Sequence, residues 1–337
     1  MDFDLSDDQL ALRDGARDLL DDLASAARVR THTTMNDAFD AALRRAMADQ
    51  GWLGIEMAEA DGGVGLGFVE AAILAEELGR HATPAPFVST VLALDALTRA
   101  GDEEWTERLI AGDAIACVAW DAHAPVPYAP SADLAIVCTD DALYAFALPD
   151  RPRREPAMDL TREVGWLAFD PATAHRIGEA DARTRLLDRG AALACADLLG
   201  SAGRALDMAV EYARDRVQFG RPIGSFQAVK HRCADMLVDV EGMRSTTYWA
   251  AWCIGAGDAE ASVAASTAKI WCGDASKRVM ASALQVHGGI GFTWEHDLHF
   301  FMKRAQLDQL AFGDASFHRA RLTALLRPRV EAGESVV

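Results

Sequence analysis

The chain reads Arg-Asp-Arg-Val-Gln-Phe-Gly-Arg-Pro-Ile-Gly-Ser-Phe-Gln from Arg214 to Gln227 and Gln-Val-His-Gly-Gly-Ile-Gly-Phe from Gln285 to Phe292. We expect Arg216 near the end of a helix, because a Phe219-Gly220 turn follows it closely. A guanidinium held there can bind a diphosphate through charge-assisted, often bidentate hydrogen bonds. Gly288 and Gly289 let the backbone approach a phosphate and turn its N–H groups toward it. Together the two stretches predict a surface suited to a phosphorylated ligand.

Helical periodicity surrounds both stretches. From residue 184 to the end, apolar residues such as Ala196, Leu199 and Leu206 recur at the spacing of one helix face. This pattern predicts a helical C-terminal domain over 184–337.

The beginning of the chain is also predicted to be helical. Ser6, followed three residues later by Gln9, is typical of a capping box at the start of an amphipathic helix. Further helical patterns lie at about 37–50, 68–80, 86–100 and 103–111. Residues 1–112 are therefore predicted to form a helical domain.

Short apolar runs broken by Pro, Asp and Gly occupy the middle of the chain. They lie at 115–120, 134–138, 142–148 and 165–169, and such runs are typical of strands. We predict a small antiparallel sheet within a short middle domain at 113–183.

Composition limits the possible partners. The 337 residues carry a formal net charge of −18, which would be repelled by nucleic acid and by anionic membranes. No segment approaches the roughly 18 apolar residues of a membrane span, and the N-terminus lacks a basic region. These features predict a cytoplasmic protein that binds neither nucleic acid nor membrane.

Three histidines near the second stretch have simpler interpretations than catalysis. His287 is expected to pack or hydrogen-bond locally. His296 and His299 have the spacing of a helical metal pair, but the sequence offers no third ligand, so we predict solvated or capping roles and no metal site.

The order of helical, β and helical regions, together with these motifs, resembles the acyl-CoA dehydrogenase family. The resemblance is close over 184–325 and loose over 1–112. It implies a mainly α fold with a helical N-domain, a truncated antiparallel β domain and a C-terminal four-helix bundle. In that family, residues at the positions of Arg216, Phe219 and Gln227 reach across a dimer interface to the neighbour's FAD, and those at Gln285 and Gly289 hold its adenosine-diphosphate half.

The resemblance also shows what this chain lacks. The family carries a catalytic carboxylate at one of two positions, which correspond to Phe312 and Gly190. A general base of this kind contributes roughly 10²–10⁴ in rate. Asp314 and Asp188 each lie two residues away, but a shift of two residues turns a helical side chain by about 200°.

The middle domain lacks the family's flavin-cradling residues as well. Its Thr-Glu-Pro-x-Ala-Gly-Ser-Asp loop is replaced by Trp-Asp-Ala-His-Ala-Pro-Val-Pro at 120–127. In addition, Asp314 stands where the family has a threonine near the flavin phosphates, and an anion there is unfavourable.

These features favour a non-catalytic or half-site subunit, without a catalytic residue of its own, of a heteromeric acyl-CoA dehydrogenase. The resemblance is to the shortened subunit of α2β2 actinobacterial steroid-type enzymes. It implies FAD shared with a full-length sister subunit, an acyl-CoA bound mainly by that sister, and electron-transfer flavoprotein as the acceptor. Two alternatives stay open: a homo-oligomeric dehydrogenase with Asp314 or Asp188 as base, and a flavin-free structural scaffold.

Overall fold

The computed structural model describes residues 4–35 and 39–335. Within these ranges the helices are α1 (Asp7–Leu23), α2 (Ala26–Met35), α3 (Ala41–Asp49), α4 (Phe68–Arg80), α5 (Phe87–Ala100), α6 (Glu103–Ile110), α7 (Ala180–Asp215), α8 (Gln227–Ala256), α9 (Ala261–His287), α10 (Leu298–Asp308) and α11 (Ala315–Glu331). The strands are β1 (Ala116–Ala119), β2 (Val126–Pro127), β3 (Leu134–Cys138), β4 (Leu143–Ala147), β5 (Val164–Gly165), β6 (His175–Gly178), β7 (Val217–Gln218) and β8 (Arg221–Pro222).

The N-terminal helices begin as the sequence predicts. Ser6 Oγ accepts the N–H of Gln9 at 3.2 Å, and the Gln9 side chain accepts the N–H of Ser6 at 3.0 Å, which completes the capping box. The helices predicted near 68–80, 86–100 and 103–111 are α4, α5 and α6. The prediction at 37–50 corresponds to α3, which Asp40 caps, although positions 37 and 38 lie outside the described residues.

The prediction of a purely antiparallel sheet is wrong in one respect. The four-stranded sheet has the order β1-β3-β4-β6, and β1 runs parallel to β3. Instead of a tight hairpin, the chain passes from β1 through β2 and a short helical turn before β3, and this longer crossover brings β3 back in the same direction. β2 pairs with β5 in a separate ribbon, and of the last predicted region, 165–169, only Gly165 lies in a strand.

The C-terminal half is built around α7, the longest described helix. α7, α8, α9 and α11 form the bundle, and the shorter α10 packs on α7 and α9. α7 also crosses α4 closely, because a side chain at Gly200 would overlap the backbone of Glu76, and one at Gly79 would overlap that of Asp197. The N-terminal helices therefore pack directly on the bundle, and their apolar side chains share one core.

None of the helices in the described ranges combines the length and the apolar character that a membrane crossing requires.

Candidate functional site

The first predicted stretch forms a helix end followed by a β-hairpin. α7 ends at Asp215, and the N–H of Arg216 caps it by donating to Tyr212 O at 2.9 Å. β7 and β8 are joined by Phe219 and Gly220, both with positive φ (54° and 76°), as a two-residue type I′ turn requires. Phe219 is 92% exposed, so this aromatic side chain projects away from the bundle.

The second predicted stretch begins where α9 ends. Gly288 has a φ of 63°, and neither Gly288 nor Gly289 has an atom within 4 Å of the position a Cβ would take. By contrast, a Cβ on Gly291 would approach His287 Cβ at 2.9 Å, so the loop is packed on that side. The open backbone at the first two glycines fits the approach of a phosphate.

The two stretches lie at the same end of the bundle. α7 and α9 both run antiparallel to α8, so the C-terminal ends of α7 and α9 lie beside the N-terminal end of α8, where Gln227 stands. Tyr212, one turn before Arg216, stacks on His287 with ring centroids 4.9 Å apart. Gln285 and Gln227 are exposed there. The fold thus collects the predicted cofactor residues at one end, and this exposed surface is compatible with a diphosphate-containing cofactor such as FAD.

Two of the three histidines of this region have hydrogen-bond partners. His287 Nδ1 lies 2.8 Å from Ala283 O, as expected for local bonding. His296 Nδ1 accepts the N–H of Leu298 at 3.2 Å and so caps α10. His299 departs from the prediction because it is not solvated: it lies between Trp294 and Phe300, with both ring nitrogens buried and unpartnered. Burial, together with the nearby Lys303, lowers the pKa of His299 to about 4.

The two positions that could carry a base contact each other. Phe312 has a φ of 55°, and its half-buried ring lies directly against Gly190 of α7, so any side chain at Gly190 would overlap it. A phenyl ring therefore fills the space in front of both positions. Neither can donate or accept a proton.

The nearby carboxylates have structural roles. Asp188 is buried, accepts Arg321 Nη1 at 2.5 Å and accepts Ser262 Oγ at 2.6 Å. Asp314 caps α11 by accepting the N–H of Phe317 at 2.8 Å. Asp188 is thus bound by α9 and α11, and Asp314 is bound by the first turn of α11.

The loop that carries Phe312 is held from two sides. Phe312 O lies 2.9 Å from Nε2 of the buried His318, whose Nδ1 is 3.3 Å from Ser266 Oγ. Lys269, which is fully buried, donates to Asp308 O at 2.8 Å and Gln309 O at 2.9 Å at the end of α10. The loop that positions the phenyl ring is therefore fixed by side chains of α9 and α11.

A buried ionic network lies near this loop, and it was not predicted from the sequence. Arg162 donates to Asp308 through both of its terminal nitrogens, Nη1 and Nη2, and to Asp197 at 3.3 Å. Arg304 donates to Asp197 at 2.6 and 2.7 Å. Burial raises the pKa of Asp308 to about 6 despite Arg162. For Asp197, burial acts in the same direction, but Arg304 and Arg162 outweigh it and lower the pKa. The sequence did contain one indication of this network. Asp197 stands in the otherwise apolar run 191–199, and a carboxylate buried there needs a cation as its partner.

A cavity of about 1090 Å³ separates the middle strands from the helices. Its walls come from α4 and α5, from the segment after β1, from α7 and from the loop of Phe312. Representative lining residues are Leu78, Phe87, Val118, Trp120, Arg183, Ala194, Leu310 and Phe312. The cavity is formed by this chain alone, and its lining is mainly apolar.

Comparison with known proteins agrees with this architecture. Residues 6–114 match the family model of the acyl-CoA dehydrogenase N-terminal domain, and residues 163–326 match that of the C-terminal domain. The acyl-CoA dehydrogenase IpdE2 of Mycolicibacterium smegmatis is 33% identical, over 95% of this chain and 99% of that protein. The acyl-CoA dehydrogenase FadE27 of Mycobacterium tuberculosis is 31% identical, over 90% of this chain and 93% of that protein.

Solved structures give the same result. A chain of the ChsE4-ChsE5 complex from Mycobacterium tuberculosis superposes with a TM-score of 0.87 at 29% identity, covering 97% of this chain and 99% of that one. A chain of the Tcur3481-Tcur3483 steroid ACAD variant also reaches 0.87, at 27% identity over 96% and 99%. The predicted fold is thereby confirmed, and the chain belongs to the acyl-CoA dehydrogenase family.

Proposed function

We propose that this chain is the half-site subunit of a heteromeric, FAD-dependent acyl-CoA dehydrogenase and provides no catalytic base. A full-length sister subunit would supply the base and bind most of the acyl-CoA, in an α2β2 assembly. Electron-transfer flavoprotein would accept the electrons.

The observation that carries this proposal is the contact between Phe312 and Gly190. In this reaction a carboxylate removes the α-proton of the thioester. The two positions where the family holds that carboxylate face each other here, and an apolar ring fills the space between them. The binding of Asp188 by Arg321 and the capping role of Asp314 argue against either as a replacement base.

The opposite end of the bundle supports a contribution to a neighbour's cofactor. FAD, when bound, supplies the hydride acceptor of the dehydrogenation. Arg216 would hold its diphosphate, Phe219 and Gln227 would reach across the interface, and Gln285 with the open backbone at Gly288 and Gly289 would face the adenosine half. The exposure of this surface suits a site completed by a second chain.

The relatives support a partner and a substrate class. One similar structure is a two-protein complex, ChsE4-ChsE5, and another is named a steroid ACAD. We therefore extend the proposal to a bulky, steroid-derived CoA thioester as the substrate of the assembly.

The first experiment measures flavin. The chain is purified alone and after co-expression with a full-length acyl-CoA dehydrogenase, and FAD per chain is determined from the visible spectrum. We expect a colourless chain alone and about one FAD per two chains in the complex. A stoichiometric flavin on the isolated chain that an acyl-CoA bleaches would contradict the proposal and favour a homo-oligomeric enzyme.

Replacing Arg216 separates the half-site from a scaffold. Arg216→Met should lower the FAD content or affinity of the complex by about tenfold or more, because a charge-assisted contact is lost. Arg45→Met, at an exposed arginine of α3, is the matched control. Unchanged flavin binding in the Arg216 variant would support the flavin-free scaffold instead.

A further inference from the structure

Arg183 is a half-buried arginine on the wall of the large cavity. Its Cζ lies 4.5 Å from the centre of the Trp120 ring, and Phe317 packs edge-on against Trp120, with ring centroids 6.2 Å apart. All three residues line the cavity. A guanidinium stacked on an indole is held in a fixed orientation.

The positive charge of this guanidinium has no counter-charge. Within the part of the chain that the structure describes, Arg183 forms no ion pair, and its Nε is buried without a hydrogen-bond partner. The other lining arginines differ, because Arg162 and Arg304 are bound to Asp197 and Asp308. A half-buried cation without a counter-charge favours an anionic ligand group.

Four carboxylates also line the cavity: Asp197 and Asp308 are bound by Arg162 and Arg304, whereas Asp121 and Asp140 are exposed. Asp121 accepts the N–H of His123 at 2.8 Å within its own turn, and Asp140 lies at the surface end of β3. Because water screens exposed charges far more than half-buried ones, Arg183 is the stronger local charge.

The size and lining of the cavity indicate the rest of the ligand. Its volume of about 1090 Å³ is at the upper end of small-molecule sites, and its walls are mainly aliphatic and aromatic. Phe312 closes one side, so no proton-transfer group reaches the interior from that loop. Such a chamber suits a bulky ring system.

We propose that this chamber is a second binding site, for a bulky apolar molecule that carries a free carboxylate, and that Arg183 contacts the carboxylate. The site is distinct from the flavin half-site. Arg183 stands in the first turn of α7 and Arg216 at its C-terminal end, and the 33 intervening steps of helix separate them by about 50 Å.

The test uses two probes that share a body and differ in charge, 1-pyrenebutyrate and 1-pyrenebutanol. Binding to the full chain, alone and in its complex, is followed by energy transfer from tryptophan, since Trp120 lines the site. We expect saturable binding of about one probe per chain, with the butyrate bound about tenfold or more tightly than the butanol. Equal affinities in the wild type would overturn the proposal.

Variants identify the residue. Arg183→Met should abolish the preference for the butyrate, and Arg183→Lys should retain part of it. Arg327→Met, at an exposed position of α11 outside the cavity wall, should behave as the wild type. A preference that survives in Arg183→Met would contradict the role of this arginine.

Two further readouts keep this proposal separate from the half-site. Arg183→Met should leave the FAD content of the complex unchanged, whereas loss of flavin would assign the cavity to the cofactor and overturn the proposal. Coenzyme A, which brings phosphates without an apolar body, should not displace the butyrate. Displacement would identify a nucleotide site instead of a carboxylate site.

Discussion

Gly190 and Phe312 depend on each other at the level of single side chains. The phenyl ring occupies the room that a side chain at Gly190 would need, and its backbone adopts a positive φ that few non-glycine residues take. An acidic side chain introduced at Gly190 alone would therefore overlap the Phe312 ring. The two positions thus form one apolar contact.

We predict that Gly190→Ala destabilises the chain although alanine favours helices. The new methyl group would overlap the Phe312 ring, and overpacking of this kind costs about 1–3 kcal/mol. The free energy of unfolding in urea measures the effect. Adding Phe312→Ala to the same chain should recover part of the loss.

Gly203 provides the matched control. It lies in the same helix, and the nearest atom to its Cβ position is Arg80 Nη1 at 3.9 Å, so there is room for a methyl group. Gly203→Ala should be neutral or stabilise by up to about 1 kcal/mol through helix propensity. Equal effects of the two substitutions would argue against the steric contact.

Single residues also show how far the sequence could lead. The turn at Phe219-Gly220 and the end of α7 before Arg216 are encoded locally, and both were predictable. The contacts of Phe312 with Gly190 and of Arg162 with Asp308 join residues far apart in the chain, so neither composition nor periodicity could indicate them. Only the resemblance to the family pointed to Gly190 and Phe312.

At the level of elements, the loop after α10 is held by α9 and α11. His318 of α11 contacts Phe312 O and Ser266 of α9, and Lys269 of α9 binds the last carbonyls of α10. The family resemblance implied that these helices form a bundle, but not which side chains join them. The parallel pairing of β1 with β3 was missed for a related reason, because strand direction depends on a long connection.

The buried His318 should make stability depend on pH. Burial, only partly opposed by the bond to Phe312 O, lowers its pKa to about 4 from an ordinary 6.5. The unfolded chain therefore binds more protons between these values, so the contribution is complete above pH 6.5 and is lost as the pH falls toward 4. At pH 5 the free energy of unfolding has fallen by about 2 kcal/mol because of this group.

The measurement compares urea unfolding at pH 7 and pH 5. His318→Gln, which cannot titrate, should lose about 2 kcal/mol less than the wild type over this interval. His175→Gln, at an exposed position of β6, is the control and should follow the wild type. Parallel profiles for all three proteins would show that His318 is not the titrating group.

For the whole molecule, α7 connects the cavity with the exposed end of the bundle. Its N-terminal half lines the cavity beside the middle strands, and its C-terminal end carries the exposed residues proposed to reach a partner's flavin. Between them, Asp197 belongs to the ionic network that ties Arg162 of the middle segment to Arg304 and Asp308 of α10. This network is the main polar connection between the small β region and the bundle that the described residues contain.

We predict that the network holds the middle region in place, so that Arg162→Met costs about 3–5 kcal/mol. The substitution leaves Asp308 and Asp197 buried with one guanidinium fewer, and an uncompensated buried charge is far less favourable than a missing surface pair. Arg151→Met is the control, because its partner Asp133 is contacted at the surface and the arginine side chain is 52% exposed. The Arg151→Met variant should lose no more than about 1 kcal/mol of stability.

Adding Asp308→Asn to Arg162→Met should recover stability, since it removes the unpaired buried charge. A double variant less stable than Arg162→Met alone would show that Asp308 is stabilised by other groups.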